Sequence, residues 1–260
     1  MDLGLDGKAC IVTGATSGIG LATARLLCAE GARVLLVARD GGKAARVAGD
    51  LGCELVAADV TLPADAVRIV EACAERFGAV DVLVNNAGTS FVRALEDLSD
   101  DDWQGQWELN VMGPMRLMRA AAPRMAAAGG GRIVNICSSS GKRPSLTNVA
   151  YSVTKAAQLS LSRHYADAFV GDGVLVNAVA PGPVTSPLWL AEGGLADQAA
   201  AARGVSRDEA LAAQKAKVPL GRFAEPEEIA AVIVFLCSAR TSTVAGAAWS
   251  ADGGTVPSFI

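Results

Sequence analysis

Apolar residues along the chain fall into two rhythms. Short, nearly unbroken runs occupy residues 9–13 (ACIVT), 33–38 (RVLLVA), 54–57, 80–84 (VDVLV), 132–136 (RIVNI), 174–179 (VLVNAV) and 245–249. Helix-length amphipathic segments alternate with them, at 19–30, 43–51, 64–77, 101–127, 151–170 and 226–237. A strand that is apolar throughout is buried on both faces, which requires a parallel sheet covered by helices on both sides. The alternation predicts an α/β protein built on a doubly wound parallel sheet of about seven strands flanked by helices. No composition shift marks a linker and no repeat exceeds the β-α unit, so a single domain over 1–260 is expected.

Composition removes several function classes. Apolar residues make up 51% of the chain, enough for a substantial core. The net charge is −4 and no run of Lys or Arg marks a nucleic-acid surface. The six cysteines stand singly, without a C-x-x-C pair, and His164 is the sole histidine, so no metal site is expected. Single cysteines in apolar runs read as small core hydrophobes of a reducing compartment. Residues 1–6 lack the basic and apolar regions of a signal peptide, and no stretch approaches the ~20 apolar residues of a membrane span. A cytoplasmic location is expected.

Candidate chemistry begins after the first strand. There Thr13-Gly14-Ala15-Thr16-Ser17-Gly18-Ile19-Gly20 turns into the first helix. Glycines permit the sharp turn, and a helix N-terminus offers free N–H groups and a positive dipole end to a pyrophosphate. The spacing is G-x-x-x-G-x-G rather than G-x-G-x-x-G. The end of the second strand, Val37-Ala38-Arg39-Asp40, bears on which nucleotide binds. Chains that bind NAD place an acid there for the ribose hydroxyls, whereas Arg suits a 2′-phosphate. Ala38 stands in the acid's place and Arg39 follows, which favours NADPH and leaves NAD as the alternative. Asp40 either pairs with Arg39 or caps the next helix.

Tyr151-Ser152-Val153-Thr154-Lys155 puts a phenol and an ammonium on one helix face. A unit charge about 4 Å away, at an effective dielectric of ~20, contributes roughly 4 kcal/mol. That equals about three pKa units and would carry Tyr151 toward neutrality, where proton transfer works best. Ser138, directly after the fifth strand, is placed to hold a substrate carbonyl, while Ser139 and Ser140 shape a turn.

With these motifs in order, the whole chain resembles the short-chain dehydrogenase/reductase family. T-G-x-x-x-G-I-G at 13–20, N-N-A-G at 85–88, Asn110 within E-L-N-V, Ser138, Tyr-x-x-x-Lys at Tyr151 and Lys155, and P-G-P-V-T at 181–185 carry the likeness. The resemblance implies a Rossmann-type fold and a catalytic tetrad of Asn110, Ser138, Tyr151 and Lys155. Tyr would donate the proton, Ser position the carbonyl, and Lys lower the Tyr pKa while holding the nicotinamide ribose. Asn110 would anchor a water that relays protons through Lys155. Around the cofactor it implies Gly14, Thr16, Ser17, Gly18, Ile19 and Gly20 at the pyrophosphate and Asp59 and Val60 at the adenine. Asn86, Ala87 and Gly88 would pass alongside it, with Pro181, Gly182, Val184 and Thr185 toward the nicotinamide. Apolar residues on more than one face of the 101–127 and 151–170 helices, together with the family habit of pairing them, imply a homotetramer.

The resemblance also implies a substrate lid over residues 186–218. Leu188 and Trp189 either line an apolar pocket there or fold back on the core. The nearest subgroup is 3-oxoacyl-carrier-protein reductase-like, but 126–131 and 171–173 lack the basic residues an acidic carrier would meet, with Lys142 and Arg143 the exceptions. A small or medium carbonyl compound is therefore expected as substrate. Two other readings stand beside it, an NAD-dependent alcohol dehydrogenase of the same family and a non-catalytic nucleotide-binding regulator. The intact Ser138, Tyr151 and Lys155 weigh against the regulator.

Overall fold

The apolar runs become strands, the five inner ones buried almost throughout and the two at the sheet edges partly exposed. The computed structural model describes residues 1–257. Strands β1 (Ala9–Thr13), β2 (Arg33–Ala38), β3 (Glu54–Ala57), β4 (Val82–Asn85), β5 (Gly131–Ile136), β6 (Val174–Pro181) and β7 (Ala248–Ala251) form one sheet. All its pairings are parallel, in the order β3-β2-β1-β4-β5-β6-β7. Side chains alternate across it. Ile11, Leu35, Leu83 and Ile133 enter a core with helices α3 (Pro63–Phe77), α5 (Gly113–Ala127) and α7 (Val149–Phe169). Val12, Leu36, Val84 and Val134 enter a second core with α1 (Gly18–Ala29), α2 (Gly41–Leu51) and α11 (Pro226–Cys237).

Strand order reverses at β1, which pairs with β2 on one side and β4 on the other. The chain therefore opens a crevice beyond the carboxyl ends of β1 and β4, where ligands of doubly wound sheets bind.

Three local expectations change. The 101–127 segment is not one helix. It runs as α4 (Asp100–Trp107), a π-helical turn (Glu108–Met112) and then α5. Asn110 lies at the middle of that turn and is wholly buried, and wide turns of this kind concentrate at functional sites. The last strand is Ala248–Ala251, a few residues beyond 245–249. The serines after β5 start a short helix, α6 (Ser139–Lys142), instead of a simple turn. Residues 186–218 carry three more helices, α8 (Pro187–Leu190), α9 (Leu195–Arg203) and α10 (Arg207–Lys215).

Cysteines divide into two kinds. Cys10, Cys73, Cys137 and Cys237 are buried as expected, but Cys28 and Cys53 are half-buried and touch each other. Among the described residues no helix is long and apolar enough to cross a membrane.

Candidate active site

Sequence dictates the nucleotide end of the crevice through backbone conformation. Gly14 follows β1 at φ +66°, and a β-carbon there would meet the Ala87 Cα at 2.9 Å. Gly20 has no such dihedral constraint, but a β-carbon would lie 2.4 Å from both the Asn86 Nδ2 and the Gly14 carbonyl. The first glycine shapes the turn and the third lets α1 pack against it. Ser17 precedes α1 without a capping bond from its side chain, and the first turn holds no acid. Its N–H groups thus face the crevice available to an anion.

The loop after β4 is braced against this turn. Thr13 Oγ1 accepts from the backbone N–H groups of Asn86 and Ala87, each at 3.0 Å. Asn86 Nδ2 donates to the carbonyls of Thr13 at 2.9 Å and Gly14 at 3.2 Å. This holds residues 86–88 along the cleft wall.

At the end of β2 the ambiguity over Asp40 resolves. Its carboxylate caps α2, accepting from the Lys43 backbone N–H at 3.0 Å. Arg39 is exposed and makes no ion pair among the described residues. Arg39 and Lys43 both line the cleft beside Ala38. Two cations and a missing acid fit a 2′-phosphate.

The chemical end is assembled by β5 and α7. Ser138, two residues past the end of β5, caps α6, its Oγ accepting from the Ser140 N–H at 3.1 Å. Lys155, only 3% exposed, donates to the Ile136 carbonyl and to Gln158 Oε1, each at 2.8 Å. Its Nζ lies 5.5 Å from the centre of the Tyr151 ring. Asn110 Nδ2 donates to Gln106 Oε1 at 2.9 Å, leaving its buried Oδ1 without a partner. A β-carbon on Gly88 would lie 3.1 Å from that oxygen and 3.6 Å from Lys155 Nζ, so the two converge behind Gly88.

Burial outweighs the field expected from Lys155. It pushes the Tyr151 phenol up to about 12, with the facing Ser138 hydroxyl pulling weakly downward. Burial also brings the Lys155 ammonium down to about 8. The expectation of a near-neutral phenol is therefore not met, because removing the phenolate from water costs more than its neighbours return. A consequence for stability follows from Lys155. Its folded pKa lies below its unfolded value of about 10.4, so the folded state releases the proton first and stability rises with pH between about 8 and 10. Replacing Lys155 by Met removes this titration. The stability of wild type relative to Lys155→Met should then rise by about 2 kcal/mol from pH 7 to pH 10, read by denaturant melts; a flat difference would remove the assignment.

All the sequence-expected site residues line one cleft of 1370 Å³ except Gly20, Asn110 and Thr185. Gly20 acts in packing, and Asn110 sits behind the wall. Thr185 donates its hydroxyl to Glu225 and the Ala224 carbonyl, just outside the cleft lining. Lys142 is used structurally, donating to the Ala248 carbonyl and Ser250 Oγ, whereas Arg143 does face the cleft. Trp189 and Leu188 line it too, Trp189 packing edge-on against Phe223 with ring centres 5.2 Å apart. Sequence reasoning missed Lys43, Gln106 and Gln158. The two glutamines were visible only as helical neighbours, at i−4 from Asn110 and i+3 from Lys155. Among the described residues no cluster of His, Cys, Asp or Glu is arranged to hold a metal ion.

Residues 14–256 match the family described as Enoyl-(Acyl carrier protein) reductase. The structure is similar to that of L-sorbose reductase from Gluconobacter frateurii, solved with NADPH and L-sorbose. That likeness has a TM-score of 0.92 and 37% identity, and covers 100% of both chains. Galactitol 2-dehydrogenase of Agrobacterium fabrum is 35% identical over 96% of this chain and 98% of its own. The 3-oxoacyl-[acyl-carrier-protein] reductase of Thermotoga maritima is 34% identical over 97% and 99%. Likeness of this extent, with the motif residues in place, shows that the protein belongs to the short-chain dehydrogenase/reductase family and is an oxidoreductase acting on alcohols and ketones.

Proposed function

We propose that the protein is an NADPH-preferring reductase of a small polyhydroxylated ketone, with Tyr151 as the proton donor. The observation that carries this reading is the single cleft that joins an uncapped helix N-terminus and the Arg39–Lys43 pair to Ser138, Tyr151 and Lys155. Beyond that chemical end the lining is rich in hydroxyls and amides, among them Ser90, Ser145, Thr147 and Asn148. Such groups suit a substrate carrying several hydroxyls, in keeping with the sugar and polyol substrates named for the relatives.

NADPH, when bound, supplies the hydride. The protein's own part is positioning and proton supply. Ser138 Oγ holds the carbonyl oxygen, and Tyr151 Oη, protonated across the neutral range, donates to that oxygen as it gains charge. The protonated phenol suits reduction, since alcohol oxidation needs the phenolate. Lys155, charged below about 8, stabilises the phenolate left behind. Asn110 Oδ1 and Lys155 Nζ converge where a water could return the proton. Residues 186–218 act as a lid that excludes water, Leu188 and Trp189 presenting its apolar inner side.

A nucleotide-oxidation assay over ketoses, simple ketones and acylated thioesters, each with NADPH and NADH, tests the reading. The highest kcat/KM is expected for a ketose with NADPH. Preference for a thioester would instead favour the carrier-linked chemistry of the Thermotoga relative. A cytoplasmic homotetramer completes the proposal. Arg119, Pro123, Tyr165 and Phe169 line a 300 Å³ groove on the outer side of α5 and α7, with Val153 exposed further along α7. Met118, by contrast, is wholly buried in its own core and contributes nothing to pairing. Light scattering at micromolar concentration should give four times the chain mass; a monomer mass would exclude the tetramer.

A further inference from the structure

Two cysteines that catalysis does not use lie closer than an ordinary contact. Cys28 is in the last turn of α1, and Cys53 stands between the end of α2 and β3. Their sulfurs are 2.8 Å apart, and both side chains are half-buried, within reach of a small oxidant. Bringing them to the ~2.05 Å of a disulfide requires less than about 1 Å of travel. We propose that Cys28 and Cys53 form a peroxide-sensitive dithiol that closes into a reversible intrachain disulfide between α1 and the start of β3.

The pair is chemically asymmetric. The two sulfurs share one thiol hydrogen bond, which lowers the Cys28 pKa and raises that of Cys53. Cys28 is thus the readier thiolate and the attacking sulfur, since reactivity follows thiolate character and exposure. Its thiolate displaces hydroxide from hydrogen peroxide, breaking the O–O bond and leaving a sulfenic acid. The Cys53 sulfur then attacks the Cys28 sulfur. The S–S bond forms, the S–O bond breaks, and water leaves with the Cys53 proton. Two thiols lose two electrons and two protons, and one peroxide becomes two waters.

Nothing comparable holds for the other four cysteines. Cys10, Cys73, Cys137 and Cys237 are at most 3% exposed, and burial pushes each thiol up, to about 12 for the last three. Oxidation should therefore be confined to one pair. That pair sits at the edge of the sheet opposite the cleft, because α1 starts at the glycine turn and ends near the strands' amino ends. The bond would tie the first β-α-β-α-β half together without entering the site. Closing a loop of this length should raise the melting temperature by roughly 5–10 °C.

The test is to treat the reduced full chain with hydrogen peroxide and map its non-reduced peptides. A Cys28–Cys53 cross-linked peptide with the loss of two hydrogens, reversed by dithiothreitol, is expected. The oxidised form should melt higher, a shift lost in Cys53→Ala. That variant should instead hold a sulfenic acid on Cys28, trappable by dimedone. Free thiols at both positions, a sulfinic acid without cross-link, or a bond to any other cysteine would overturn the proposal. The peptide map is read on wild-type protein and does not depend on the variant folding.

Discussion

Tyr151→Phe is expected to lower carbonyl-reduction turnover by about 10²- to 10⁴-fold while leaving the NADPH dissociation constant nearly unchanged. The substitution keeps the ring, and with it the 5.5 Å contact to Lys155, and removes only the hydroxyl. Packing and nucleotide contacts therefore survive, and the loss reports on proton donation alone. Because the phenol is raised to about 12, its own ionisation falls beyond the usual assay range. An alkaline fall in the wild-type rate near pH 8 would belong to Lys155. Steady-state rates and nucleotide titrations on the two proteins decide the matter. A mutant that keeps more than a tenth of wild-type turnover would remove Tyr151 as the donor, and a parallel loss of nucleotide affinity would reassign its role to binding.

Much of the fold was legible because the inner strands of the sheet are buried on both faces. Ala9–Thr13, Arg33–Ala38 and Glu54–Ala57 run over the residues that their apolar composition marked. Boundaries blurred where the signal was not local. The π-helical turn at Glu108–Met112 leaves no mark in apolar spacing, which stays helical through it. The buried Asn110–Gln106 bond and the half-buried Arg116–Glu108 pair accompany it, and both are contacts made only in the folded chain. Strand β7 pairs only at the sheet edge with β6, so its half-exposed residues carry a weaker apolar pattern.

The site divides in the same way. Residues with chemistry at a fixed offset, such as Tyr151 with Lys155, or glycines forced by geometry, could be read in advance. Their partners could not. Gln158 is unremarkable in sequence until Lys155 is seen to need an acceptor in a buried place. Thr185 matches its motif yet turns its hydroxyl to Glu225, whose position depends on a chain segment 40 residues away. The near-neutral phenol failed for a related reason. Offset on a helix set the charge, but the cost of desolvation depends on how β5 and α7 close over the ring. The Cys28–Cys53 contact joins residues 25 apart, which spacing alone does not place together.

Arg39→Ala should weaken NADPH by about ten- to a hundredfold and leave NADH nearly unchanged, because only NADPH carries a phosphate on the ribose. The argument rests on three neighbouring groups. Ala38 offers the ribose hydroxyls no acceptor. Asp40, the neighbouring acid, accepts the Lys43 N–H with Oδ1 at the start of α2 and keeps Oδ2 on the cleft rim. Arg39 is left exposed at the cleft rim with no acidic partner among the described residues, so it enters binding without breaking an existing pair. Its exposure admits screening, which puts the single substitution toward the lower end of the range. Lys43 shares the same rim, and Arg39→Ala with Lys43→Ala should lose more than Arg39→Ala alone. Ala38→Asp should act in the opposite sense, accepting from the ribose hydroxyls and repelling the phosphate, so that NADH becomes the better ligand. Dissociation constants for both nucleotides, measured at one salt concentration on wild type and all three variants, test the set. Equal losses for the two nucleotides in Arg39→Ala, or a wild type that binds NADH more tightly, would end the case for NADPH and leave Arg39 as a surface cation.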